Sequence, residues 1–171
     1  LLDTRLIAAA VLAALCLTLL ALLVVGWRRK LNQQADRYPA PPAPSLTGRD
    51  TVAAWDDIHY VATTPSDAPL ERIATKPYGF RGRCSVQLLP EGLVIGIAGE
   101  VPFFISRESL DSLHAGTATI DRAVEPGGLS VLRWRPDPTG DTVDSVFRFV
   151  DERERSAFHT QVNATLLTAA L

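Results

Sequence analysis

Residues 6–25, LIAAAVLAALCLTLLALLVV, carry no charge over twenty positions, and the uncharged stretch continues through Gly26 and Trp27. As an α-helix such a run is about 30 Å long, the thickness of a bilayer's hydrocarbon core. A helix in the core of a soluble domain needs one apolar face, whereas this run is apolar all round. Trp27 suits the interfacial belt, and Arg28, Arg29 and Lys30 follow directly. A secretory signal would set its basic residues ahead of a shorter run and a small-residue cleavage site behind it. Here only Asp3 and Arg5 precede the run, so residues 1–27 read as a retained transmembrane anchor. The chain opens on Leu1 rather than Met, and a few residues are expected ahead of it.

The same charges set an orientation. Arg28, Arg29, Lys30 and Arg37 flank the run on its C-terminal side, against Arg5 offset by Asp3 on the other. Basic flanks stay in the cytoplasm, so the expectation is a single-pass protein of the plasma (inner) membrane, N-terminus outside and residues 28–171 cytoplasmic. Cys16 lies mid-span and Cys84 beyond it, which leaves no disulfide framework and too few thiols for structural zinc. Arginine outnumbers lysine fifteen to two and alanine is abundant, a bias that marks a high-GC bacterial genome. Residues 28–49 carry a net charge of +4 and residues 50–171 a net charge of −6. The acidic part should not attract nucleic acid by bulk charge, whereas the basic segment should lie against anionic headgroups at about 1 kcal/mol per charge.

Within the anchor, Ala9 with Ala13 and Ala10 with Ala14 place small residues four apart, spacing that lets another membrane helix approach closely. Residues 27–38 are good helix formers and extend the helix past the membrane; Tyr38 precedes Pro39, where helix is disfavoured. The following PAPPAP reads as an extended spacer that holds a domain within about 20–30 Å of the bilayer. Residues 28–49 thus form a basic juxtamembrane segment and Pro-rich linker.

From Asp50 the period changes from helical to alternating. Residues 58–61 are a short strand; Cys84, Val86 and Leu88, then Leu93, Ile95 and Ile97, alternate about the turn Pro90-Glu91-Gly92 as a hairpin. Residues 101–105 give another strand, with Pro102 at its start, and residues 113–120 a weaker one. Pro126-Gly127-Gly128 and residues 136–140 are turns around a strand at 129–134, and residues 142–150 put Val143, Ser145, Phe147 and Phe149 on one face. Asp151 and Glu154 have capping-box spacing, and Phe158, Val162 and Leu166 recur at intervals of four, so the chain ends in an amphipathic helix. The reading is mainly β: about seven short strands and one C-terminal helix in a single domain, residues 50–171, behind one transmembrane helix.

Particular stretches carry a resemblance: Tyr60-Val61-Ala62-Thr63-Thr64, Gly79-Phe80-Arg81-Gly82-Arg83, Pro90-Glu91-Gly92-Leu93, Phe104-Ile105 leading to Leu110, Leu132-Arg133-Trp134-Arg135, and Phe147-Arg148-Phe149 before the last helix. In these the chain resembles small actinobacterial membrane proteins with one N-terminal span and a cytoplasmic pleckstrin-homology-like (PH-like) domain, some loosely labelled transporter or export proteins. The resemblance implies a seven-stranded barrel closed by the C-terminal helix. It brings no catalytic residue with it.

The chemistry-bearing residues give little. His59, His114 and His159 fall in three different elements, and only Asp56 and Asp57 lie near one of them. Asp56-Asp57 is expected to be a solvated loop and Asp151-Glu152 the acidic start of a helix. No nucleophile elbow or phosphate-cradling glycine loop occurs, and Asn163-Ala164-Thr165 is a sequon without meaning on a cytoplasmic helix. Trp134 between Arg133 and Arg135 imitates a nucleic-acid motif, but in a strand it faces away from both. The expectation is therefore a non-enzyme without catalytic residue, cofactor or metal. Against the acidic background Arg72, Lys76, Arg81 and Arg83 stand out as a candidate patch for lipid or a partner, with Glu71 the one acid beside them. Two functions follow: an accessory subunit that binds other membrane proteins in a larger assembly, and a module that binds anionic lipid headgroups. One span cannot enclose a transport pathway alone.

Overall fold

A computed structural model of the chain describes residues 2–44, 50–116, 118–119, 122–123, 128–138 and 140–167. The apolar run forms the helix α1 (Leu2–Arg37), 36 residues without a break. Alanine and leucine favour helix throughout, and the space around Gly26 is open, so that glycine costs propensity only. The helix ends where Pro39 restricts Tyr38, whose N–H still reaches the carbonyl of Gln34 at 2.8 Å. Over Asp3–Arg37 the helix is long and apolar enough to cross a membrane, by length and composition: its most apolar window has a mean hydropathy of 2.9 and is 0% buried.

The strands follow as β1 (Ala53–Pro65), β2 (Gly82–Leu89), β3 (Gly92–Ile97) and β4 (Phe103–Ser106), then a 3-10 turn, Arg107–Ser109. After it come β5 (Leu110–Gly116), the short β6 (Ala118–Thr119) and β7 (Arg122–Ala123), β8 (Leu129–Trp134) and β9 (Val143–Arg148). Seven of them make one antiparallel sheet of order β4-β3-β2-β1-β9-β8-β5, and β6 and β7 pair separately. The sheet is roughly barrel-like but not closed, since β4 and β5 remain its two edges. The hinge of this shape is β1. Its first half pairs with β2 and its second with β9, and the two ladders overlap only at His59 and Tyr60. Bulges at Asp56-Asp57 and at Val61 interrupt the pairing, and a bulge bends a strand and increases its twist.

Alternation delivers the core. Cys84, Val86, Leu88, Leu93, Ile95 and Ile97 all point inward, as their spacing requires. Trp134 is buried while Arg135 is exposed, in line with its opposite facing. Inside, the Tyr60 hydroxyl meets Thr63, Thr63 Oγ1 lies 2.7 Å from Ser145 Oγ, and Trp134 Nε1 donates to the same oxygen at 3.0 Å. These bonds satisfy polar groups that three strands bury together. The last helix, α2 (Glu152–Val162), is capped by Asp151, which accepts the Arg153 N–H at 2.8 Å. It continues as a π-turn, Asn163–Leu167, and the stripe Phe158, Val162 and Leu166 is buried throughout. The Phe158 ring packs edge-on against Trp55 and tilted against Phe149, each at 5.1 Å.

Three expectations need revision. β1 runs over thirteen residues rather than four, because its exposed Asp56-Asp57 bulge and its polar Thr63-Thr64 end disguise a strand. β4 starts after Pro102, which has no N–H to give a ladder. β5 begins at Leu110, earlier than expected, while Thr117 and Ile120 of the expected strand lie outside the described residues, as do Pro126, Gly127 and Thr139 of the two turns.

Candidate functional site

The residues between the apolar helix and the sheet do more than connect them. Beside the second half of β1, Ile73 donates its N–H to the Thr63 carbonyl at 3.0 Å. Successive backbone groups of an extended segment point to opposite sides, so Arg72 and Ala74 turn their backbones away from β1. There Gln34 of α1 meets them: its Oε1 accepts the Ala74 N–H at 3.0 Å and its Nε2 donates to the Arg72 carbonyl at 3.4 Å. A primary amide carries the donor and acceptor of a peptide group, and Gln34 stands where a further strand would pair. It is buried, 8% exposed, on a helix whose apolar part is bare.

One turn later Tyr38, 3% exposed, joins the main core. Tyr78 donates its hydroxyl to the Pro39 carbonyl at 2.7 Å; burial pushes its pKa far above the ordinary tyrosine value, so it remains a neutral donor. Phe104 on the edge strand β4 donates its N–H to the Pro42 carbonyl at 3.1 Å. The expected spacer is therefore a strap laid on the domain. Two ion pairs lie alongside, Lys30 with Glu71 at 3.5 Å and Arg37 with Asp141 at 2.6 Å. Both are more than half exposed and contribute little by themselves. The loop after β1 is shaped for this docking: a Cβ on Gly79 would run into the Ala74 carbonyl, so only glycine fits.

The four basic residues of the candidate patch serve different partners. Arg72 donates to the Val61 carbonyl at the second bulge. Lys76 lies 3.6 Å from Glu100 in the turn between β3 and β4 and 5.7 Å from the centre of the Phe80 ring. Arg83 pairs with Asp57 at the first bulge, 3.2 Å away, and Arg81 is exposed just ahead of β2. At the end of the apolar run Trp27, Arg28 and Arg29 are exposed, and Lys30 joins the seam. Ala9, Ala10, Ala13 and Ala14 are exposed on α1, where Thr18 returns its hydroxyl to the Ala14 carbonyl at 2.8 Å.

Two interactions escaped the sequence reading. His159 is half-buried, with Nε2 2.8 Å from Ser130 Oγ; burial, then Arg155 and His114, lower its pKa. Arg133 grips Asp144 through two hydrogen bonds of 2.8 and 2.9 Å. Burial alone would raise the Asp144 pKa, but the bonds from Arg133 and Ser66 outweigh it and hold it below the usual range. Burial pushes the Cys84 thiol up to about 12, which leaves it unreactive. Among the described residues, no three His, Cys, Asp or Glu side chains gather as metal ligands would.

A family model described as bacterial PH domain-like matches residues 35–163. The match opens in the last turn of α1, at the seam, and covers well over half of the chain. No match was found among curated proteins.

Proposed function

The chain belongs to the bacterial PH domain-like family, and from that premise we propose that it is a non-catalytic, membrane-anchored interaction protein, an accessory subunit of a larger inner-membrane assembly. Its α1 crosses the bilayer with the N-terminus outside, and its domain faces the cytoplasm beside Arg28, Arg29 and Lys30. The observation that carries the reading is the seam. Gln34, Tyr38 and the strap hold the domain in a fixed place on a helix whose apolar length is uncovered. A module that is docked on its own anchor and leaves that anchor bare suits service to a neighbouring membrane protein. Close helix approach is available at Ala9 with Ala13 and Ala10 with Ala14.

Affinity purification of the tagged full-length protein from its native membrane, with mass spectrometry, tests this against a control that replaces residues 6–25 by polyleucine. A stoichiometric membrane partner held only by the native helix supports the accessory role through α1. A partner held by both places the contact on the domain. Recovery of a lone monomer in mild detergent would overturn the reading. The alternative, anionic headgroup binding at Arg72, Lys76, Arg81 and Arg83, is less favoured: Arg72 donates to the Val61 carbonyl, and Lys76 and Arg83 already lie beside the carboxylates of Glu100 and Asp57.

A further inference from the structure

The loop after β1 presents an apolar side chain where the span emerges. We infer that Leu70 and Trp27 form one contact with the bilayer, at the boundary between headgroups and acyl chains, so that the domain touches the membrane at a second point besides its helix. The inference rests on the reading of α1 as a membrane span.

Leu70 is 79% exposed, the highest value for a large apolar side chain among the described residues. It does not sit on a loose end. Glu71 donates its N–H to the Ala68 carbonyl at 2.9 Å, which places Pro69 and Leu70 at the two central positions of a β-turn, with proline at the first. The level of that turn is fixed from the helix. Glu71 pairs with Lys30 and the following Arg72 and Ala74 are bonded to Gln34, so the turn lies beside Lys30, three residues beyond Trp27, and three residues of helix rise only about 4.5 Å. A bilayer's polar layers add about 5–8 Å on each side of its core, so Lys30 and the turn both fall inside the headgroup layer.

Between helix and turn lies an open hollow of about 350 Å³, and Trp27, Leu31 and Leu70 give it an apolar wall at that level. Lys30 and Arg72 line it too, with Glu71 as the acid among them. A hollow lined by both apolar and basic side chains at this level suits phospholipid. Its occupant is the lipid of the membrane that α1 crosses, because the hollow is continuous with the exposed surface of that helix. The arrangement would fix the tilt of the domain, since helix, seam and turn then meet the bilayer together.

The test uses the full-length chain in vesicles of phosphatidylcholine and phosphatidylglycerol, with an environment-sensitive fluorophore on one cysteine at a time. Native Cys16 reports mid-span depth. L70C and V150C, each combined with C16A, report the turn and a control; buried Cys84 stays unlabelled in the folded protein. Val150 is 76% exposed beyond the far end of β9, about 20 Å along that strand from the seam. Nitroxide lipids labelled near the headgroup should quench the L70C probe at least about three-fold more than the V150C probe, with iodide showing the reverse order. Equal quenching at the two sites, with Cys16 quenched by deep nitroxides, would overturn the inference and leave the span intact. A Cys16 probe untouched by deep nitroxides would remove the span and the inference with it. A L70C probe shielded from both iodide and lipid would place a protein surface there and overturn the lipid contact.

Discussion

The two parts of α1 are one helix in two environments. Up to Trp27 it exposes large apolar side chains along its whole length, Leu6, Val11, Leu15, Leu19 and Leu23 among them, and none of its most apolar window is buried. From Lys30 onward it is polar in composition, yet there Gln34 is buried and bonded, and Tyr38 at its end is buried in the core. Apolar outside and polar inside is the reverse of a helix in water, and so large a bare apolar surface fits an interaction site or a membrane. The lesson is that helix continuity hides a boundary. The first part suits lipid by composition, the second fits the domain by shape.

The sharpest way to break this comparison is to cut at the boundary that composition suggests. A fragment that starts at Asp50 lacks Gln34, Tyr38 and the strap; one that starts at Arg28 keeps them. The shorter fragment should lose several kcal/mol in urea unfolding, since emptying an aromatic site in a core alone costs about 3–5 kcal/mol. Equal stability of the two would mean that the seam is decoration.

Next in size is Gln34→Ala in the longer fragment. It orphans the Ala74 N–H and the Arg72 carbonyl, and should cost about 1–3 kcal/mol. The neighbour Gln33 is exposed, so Gln33→Ala should stay within about 0.5 kcal/mol. Acid separates the regions in another way, because the Gln34 bonds do not titrate. His159 has a lowered pKa, so the unfolded chain takes the proton first. Its contribution is complete above about pH 6.5 and declines as pH falls through the folded value. Asp144, also lowered, holds its contribution above about pH 3.9 and loses it further down. Thermal unfolding against pH should therefore slope downward below pH 6.5, and His159→Gln should flatten the first part of that slope. The smallest effect belongs to the exposed pairs: Lys30→Ala should cost about 0.2–1 kcal/mol and less at high salt, and Arg37→Ala should leave stability nearly unchanged.

What the residues announced in advance depended on period. The hairpin of β2 and β3, the inward Trp134 and the buried stripe on α2 all follow from alternation or four-residue spacing, which a sequence displays directly. The length of β1 did not, because each bulge shifts the alternation by one residue and its second half turns hydroxyls inward toward Tyr60 and Ser145. Gln34 was illegible for a different reason. Its role depends on which backbone groups 38 and 40 residues away lack a partner, and no local pattern records that. The basic residues of the loop were easy to see and easy to overrate, since the partners at Val61, Asp57 and Glu100 come only with the fold. The lowered pKa of Asp144 likewise arises from Arg133 and Ser66, and that of His159 chiefly from burial, which only the fold supplies.

The central claim is that the last turns of α1 belong to the domain. The direct measurement is a distance between spin labels at N32C on α1 and E154C on α2, both exposed, in the full-length C16A protein in lipid vesicles. Pulsed electron resonance should return one narrow distance distribution, which Q34A broadens. A broad distribution in the parent protein, unchanged by Q34A, would show a domain swinging on a loose tether and would contradict the account.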